Sequence, residues 1–158
     1  MKIKVVGLGQ EMAGDDQAGL LIARRWQEQH GRDYASAGVE VQLLESPGIN
    51  LLGALAGLDA AVLTAAVSSG APLGHVRQIR GPELDSWRQS AGGGSARGAL
   101  ETLSLGQELI PEDLPGELVL IGIEGAAFTL GEGLSPAVRA AVPQAIAAIN
   151  QLLDRLIC

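Results

Sequence analysis

Cysteine, aromatic residues and positive charge are all scarce in this chain. The single cysteine, Cys158, is the last residue, so neither an internal disulfide nor a cysteine zinc cluster can be built. Lys and Arg number 11 against 18 Asp and Glu, a net charge of −7. That balance repels a phosphate backbone rather than releasing its counterions, and nucleic acid is not expected as a partner. No unbroken apolar run approaches the roughly 20 residues that span a bilayer, so no membrane is expected either. The opening Met1-Lys-Ile-Lys-Val-Val6 lacks the apolar segment and small-residue cleavage site of a secretory signal, which leads to the expectation of a cytoplasmic protein.

What is abundant is apolar side chain, 47% of the sequence, too much for a disordered chain. A length of 158 residues suits one domain, and 1–158 is read as a single unit with its own core. Ile3 to Leu8 is a short apolar run broken by Gly7 and closed by Gly9, after which Ala18, Leu21, Ile22 and Trp26 fall on one helical face. Val39 to Leu44 alternates as a strand with one wet face, whereas Ala60 to Val67 is apolar on both faces and predicts a central strand. Between them Asn50 to Leu58 fits a short crossover helix. Gly74 to Ile79 follows its predecessor so closely that an antiparallel neighbour is expected. The glycine-rich Ser90 to Gly98 reads as a mobile loop, followed by a weak helical pattern through Ala99, Leu100, Leu103 and Leu105. Glu117 to Ile123 is the last strand. The final helix starts with Ser135 as N-cap and Pro136 at its first position, with Pro143 expected to bend or interrupt it. This order predicts an α/β fold, a three-layer α/β/α sandwich on a mostly parallel five-stranded sheet with one antiparallel strand.

In such a sheet the crevice lies beyond the carboxyl ends of the strands. Those ends carry Gln10, Glu11, Asp15 and Asp16, then Glu45 and Ser46, then Ser68 and Ser69, and finally Glu124. Such a rim suits a cation or a peptide, while Asp15 and Asp16 also have a simpler role open to them as caps of the first helix. No nucleotide cofactor is expected. Met12 stands where the third glycine of a dinucleotide fingerprint belongs, and the two aspartates would oppose a pyrophosphate. A serine hydrolase lacks its G-x-S-x-G elbow, and His30 and His75 read as surface residues.

Val5-Val-Gly-Leu-Gly-Gln10, Gly14-Asp-Asp-Gln-Ala-Gly19, Glu45-Ser-Pro-Gly-Ile-Asn-Leu-Leu52, Ser69-Gly-Ala-Pro72 and Phe128-Thr-Leu-Gly-Glu-Gly-Leu-Ser-Pro-Ala-Val138 follow one another at characteristic spacing. Together they resemble the hydrogenase maturation endopeptidases, over nearly the whole chain and with a phosphorylase/hydrolase-like fold. The resemblance implies a protease that removes the C-terminal extension of a nickel–iron hydrogenase large-subunit precursor after nickel insertion. Nickel is then carried by the substrate and only transiently contacted. The family's three recognition side chains are an acid at the start of the first helix, an aspartate ending the third strand and a histidine before a later helix, donors that suit a borderline divalent metal. Asp16 matches the first and is the expected catalytic and metal-contacting residue. The second falls on Ala65 and the third on Arg97, neither of which has a lone pair to give, and Gln10 replaces the usual asparagine. Asp15, Ser46, Arg97 and Glu124 are the expected substrate-binding residues, with Arg97 clamping a peptide carboxylate or pairing with Asp16, and the 90–98 loop acting as a lid. Glu45, Glu124 or His75 are open as substitute ligands. The alternative is a catalytically inactive homologue that binds a hydrogenase precursor or assembly partner without cutting it; a hydrolase of another class on the same scaffold is a third reading.

Overall fold

Val5 and Val6 are neighbours in sequence and face opposite sides of one sheet, and that alternation organises the molecule. The computed structural model describes residues 1–45, 47–87 and 94–158, the side chain of Ile49 excepted. Five strands, β1 (Ile3–Gly9), β2 (Val39–Glu45), β3 (Ala60–Val67), β4 (Val76–Arg80) and β5 (Glu117–Glu124), lie in the order β2-β1-β3-β5-β4. Only β4 runs antiparallel to its neighbour, as the short link before it requires. Helices α1 (Ala18–Ala35) and α5 (Pro136–Ile157) cover one face. On the other lie α2 (Ile49–Leu55), α3 (Leu84–Trp87) and α4 (Ser95–Leu109). The expected three-layer sandwich is therefore observed.

Strand β3 is third of five and buried at every residue, which accounts for a sequence apolar at every position but Thr64. Ala60, Val62 and Ala66 face α1 and α5, while Ala61, Leu63, Ala65 and Val67 face α2 and α4. The glycines around β1 serve close packing. A Cβ on Gly19 would overlap the Leu8 and Thr64 carbonyl oxygens, and one on Gly9 would overlap that of Asp16. The Thr64 hydroxyl donates to the Gly19 carbonyl at 2.8 Å, which fastens α1 to the centre of the sheet.

One sequence expectation changes and a second is narrowed. Helix α4 begins at Ser95, so Ser95 to Gly98 is its first turn and not part of a loop; residues 90–93 of the expected lid lie outside the described residues. Helix α5 runs through Pro143 without interruption. Pro143 is exposed, so the carbonyl that loses its partner faces water, while Val142, Ala145, Ile146 and Ile149 hold the helix on the sheet.

Because the chain leaves β1 toward β2 and then crosses to β3 on the other side, strand order reverses between β1 and β3. The crevice expected at such a reversal lies just where the residues after β1 emerge.

Candidate functional site

The turn after β1 is sharply wound. Met12 and Gly14 have φ of 62° and 60°, and a 3-10 turn over Gly14–Gln17 leads into α1. The segment between β5 and α5 lies against it. Gly131 N–H donates to the Met12 carbonyl at 2.6 Å and Gly14 N–H to that of Glu132 at 3.0 Å.

Asp15 and Asp16 sit in this turn, 0% and 3% exposed. Neither caps α1, whose N-cap Gln17 makes no side-chain cap, so the simpler role offered by the sequence is not the one observed. Asp15 instead ties together both ends of the β5–α5 segment. Its Oδ2 accepts from Ala126 N–H at 2.9 Å, Ala127 N–H at 3.2 Å and the Ser135 hydroxyl at 2.7 Å, and its Oδ1 accepts from Ser135 N–H at 2.7 Å. Burial pushes its pKa up, but the hydrogen bonds from Ala126, Ser135 and Ala127 outweigh burial and leave the carboxyl below its ordinary value. Ser135 occupies the expected N-cap position of α5, yet its hydroxyl serves Asp15 and not its own helix.

Asp16 reaches across to α4. Its Oδ1 accepts Ser95 N–H at 2.9 Å and its Oδ2 accepts the Ser95 hydroxyl at 2.8 Å. A carboxylate there satisfies an N–H that a helix start leaves without an internal partner and meets the positive end of the helix dipole. Gly94, with φ of 78°, makes this approach possible, since a Cβ there would stand 2.8 Å from Asp16 Oδ1.

Asp16 lies on the wall of a cleft of about 460 Å³. Its lining combines the polar Gln10, Asp16 and Ser95 with the apolar Phe128 and Pro47, and Gly94 and Gly98 complete it. A larger groove of about 520 Å³ lies elsewhere, between Arg80, Gln107, Leu114 and Glu117, where it meets none of the strand-end polar groups.

The remaining candidates are distributed as follows. Glu124, 3% exposed, accepts Ser69 N–H at 2.8 Å and the Ser69 hydroxyl at 2.6 Å, so it joins the ends of β3 and β5. Glu45 is exposed and accepts Glu11 N–H at 3.0 Å, while Glu11 pairs with Arg24 at 2.6 Å. Arg97 does not pair with Asp16. It lies exposed on α4, 3.3 Å from Glu101, because Ser95 already occupies the Asp16 carboxylate and a partner one turn along the helix is closer to hand. Ala65 is 1% exposed within the layer facing α4. His75 is exposed and His30 stands 3.7 Å from Asp33. Ser46 lies outside the described residues. Sequence reasoning missed Ser95, Phe128, Pro47 and Gly94 as a group. The only local signal was a serine following a glycine run at a helix start.

Among the described residues no three His, Cys, Asp or Glu side chains cluster as metal ligands. The donors at the cleft are one carboxylate already hydrogen-bonded through both oxygens, a hydroxyl and an amide, a set that does not suit nickel held by the family's pattern of two carboxylates and an imidazole.

No protein-family model and no curated protein matches the chain. Solved structures do. The hydrogenase maturating endopeptidase HybD from E. coli is similar with a TM-score of 0.82 and 22% identity, over 98% of this chain and 93% of that one. The NiFe hydrogenase maturation protease HybD from Thermococcus kodakarensis gives a TM-score of 0.73 and 26% identity, over 96% and 99%. The maturation protease HycI from Thermococcus kodakarensis KOD1 gives 0.68 and 21%, over 97% and 92%. Along nearly its whole length, then, this chain has the fold of the nickel–iron hydrogenase maturation proteases.

Proposed function

We propose that this protein acts in hydrogenase maturation in the cytoplasm, gripping the C-terminal extension of a nickel–iron hydrogenase large-subunit precursor without cutting it. The observation that carries this reading is the occupation of Asp16. Both of its oxygens are committed to Ser95, and the positions expected to supply a second carboxylate and an imidazole hold a buried alanine and an arginine turned to Glu101. Polarising or orienting a scissile carbonyl through a substrate-borne metal needs several converging donors, and one engaged carboxylate does not provide them. Holding a peptide needs less: a cleft with polar groups for its amides and apolar surface for a side chain. Gln10 and Ser95 offer the first, Phe128 and Pro47 the second. Arg97 does not line this cleft; it lies exposed on α4 with Glu101 and takes no part in the grip.

A tagged preparation tests this by retention of the nickel-loaded precursor, full length or lacking its extension. Only the full-length form should be held, and Asp16→Asn, which keeps one acceptor for Ser95, should hold it within a few-fold of wild type. Equal retention of both forms, or of neither, would contradict the reading. One observation favours the endopeptidase as a second reading: Asp16 still faces the cleft in a fold shared with proteases. A shortened precursor after incubation would decide for it.

A further inference from the structure

Phe128 is the only phenylalanine in the chain and stands on the cleft wall, half-buried against the layer of α1 and α5. The backbone just before it is fixed with unusual thoroughness. Ala126 and Ala127 give their N–H groups to Asp15 Oδ2, and the Ala127 carbonyl in turn accepts Asp15 N–H. At the far end of the segment Ser135 binds both Asp15 oxygens. Between these ends, Gly131 N–H donates across to the Met12 carbonyl, and the Glu132 carbonyl accepts Gly14 N–H. A ring carried on such a backbone is ordered before anything binds, which removes part of the entropy cost of using it as a contact. Opposite the ring, Gly94 is held to hydrogen, because a Cβ there would approach the Phe128 ring to 3.1 Å. The space thus kept open is lined by the Phe128 ring together with Gln10 and Ser95.

We infer that Phe128 determines which peptide the cleft accepts, selecting an extended segment with an aliphatic side chain laid on the ring, and that Asp15 is the positioning residue that holds Phe128 there. This rests on the reading that a peptide enters the cleft. Asp15 makes no contact with the peptide; its carboxylate is buried and fully engaged. It acts by fixing the two residues ahead of the ring.

An array of extended octapeptides tests both parts, combining windows of the precursor's C-terminal extension with unrelated sequences, each in an aliphatic form and with that residue changed to serine. Wild-type protein should prefer aliphatic forms about tenfold. Phe128→Ala should flatten that preference to twofold or less, and Phe128→Leu should restore most of it. Asp15→Asn should flatten it too while retaining cooperative unfolding, and Ser135→Ala, a milder loss, provides the same reading if Asp15→Asn does not fold. An aliphatic preference unchanged in Phe128→Ala overturns the selectivity role, and one unchanged in both Asp15→Asn and Ser135→Ala overturns the positioning role. Binding of unrelated aliphatic peptides but of no precursor window would leave the Phe128 assignment standing and remove the hydrogenase precursor as partner. Binding of no peptide would overturn both.

Discussion

Adjacent carboxylates in one turn take up unrelated tasks, and partners decide which. Asp15 is buried and meets only donors, so its ionised form is favoured over the neutral acid despite desolvation. A folded-state pKa below the unfolded value, near 3.8, means that its contribution is present above that value and is lost as pH falls through the folded one. Asp15→Asn places an amide N–H or a lone acceptor where Ala126, Ala127 and Ser135 all need an acceptor, and is expected to cost about 3 kcal/mol at pH 7. Urea titrations across pH check this. The gap between wild type and Asp15→Asn should be constant above about pH 5 and close progressively below pH 4; a gap that widens in acid would show that the charged form is not the stabilised one. These partners were not legible in the sequence. Asp15 meets residues 111 to 120 positions away and Asp16 meets Ser95 79 positions away, whereas periodicity and capping rules report only on neighbours within a turn or two.

Elements, by contrast, were legible where local pattern and tertiary burial agree. Ala60–Val67 is apolar at all positions but Thr64 because it lies in mid-sheet, and the reversed β4 follows from the short link over Gly70 to Gly74. Helix α4 starts earlier than its pattern suggests, since its first turn, Ser95-Ala-Arg-Gly98, follows a glycine run, contains Gly98 and is held from outside by Asp16. Pro143 does not interrupt α5, because burial of one face of the helix outweighs a lost bond on the solvent side. The packing of α1 on the sheet turns on Gly19, whose carbonyl binds Thr64 and whose missing Cβ leaves room for Leu8 and Thr64. Gly19→Ala must therefore lift the helix despite its better propensity, and a loss of about 3 kcal/mol in chemical unfolding is expected. A neutral or stabilising result would mean that α1 does not sit on β1 and β3 at that depth.

At the scale of the molecule, the strand order puts a crevice between β1 and β3, and the turn after β1 fills it with carboxylates. Resemblance in sequence and likeness in fold agree on the scaffold. That agreement reaches the scaffold alone, because function resides in a site, and here Asp16 anchors a helix start. Arg97, expected to face Asp16, lies with Glu101 on the outside of that same helix. On the proposed reading the cleft beside Asp16 takes a peptide, on a protein whose −7 charge suits an association governed by a partner's positive groups. Native mass spectrometry of the protein mixed with nickel-loaded large-subunit precursor addresses this most directly, since one spectrum reports both association and chain length. A complex containing precursor of undiminished mass, stable over hours, is the predicted result; free precursor shortened by its extension would contradict the account.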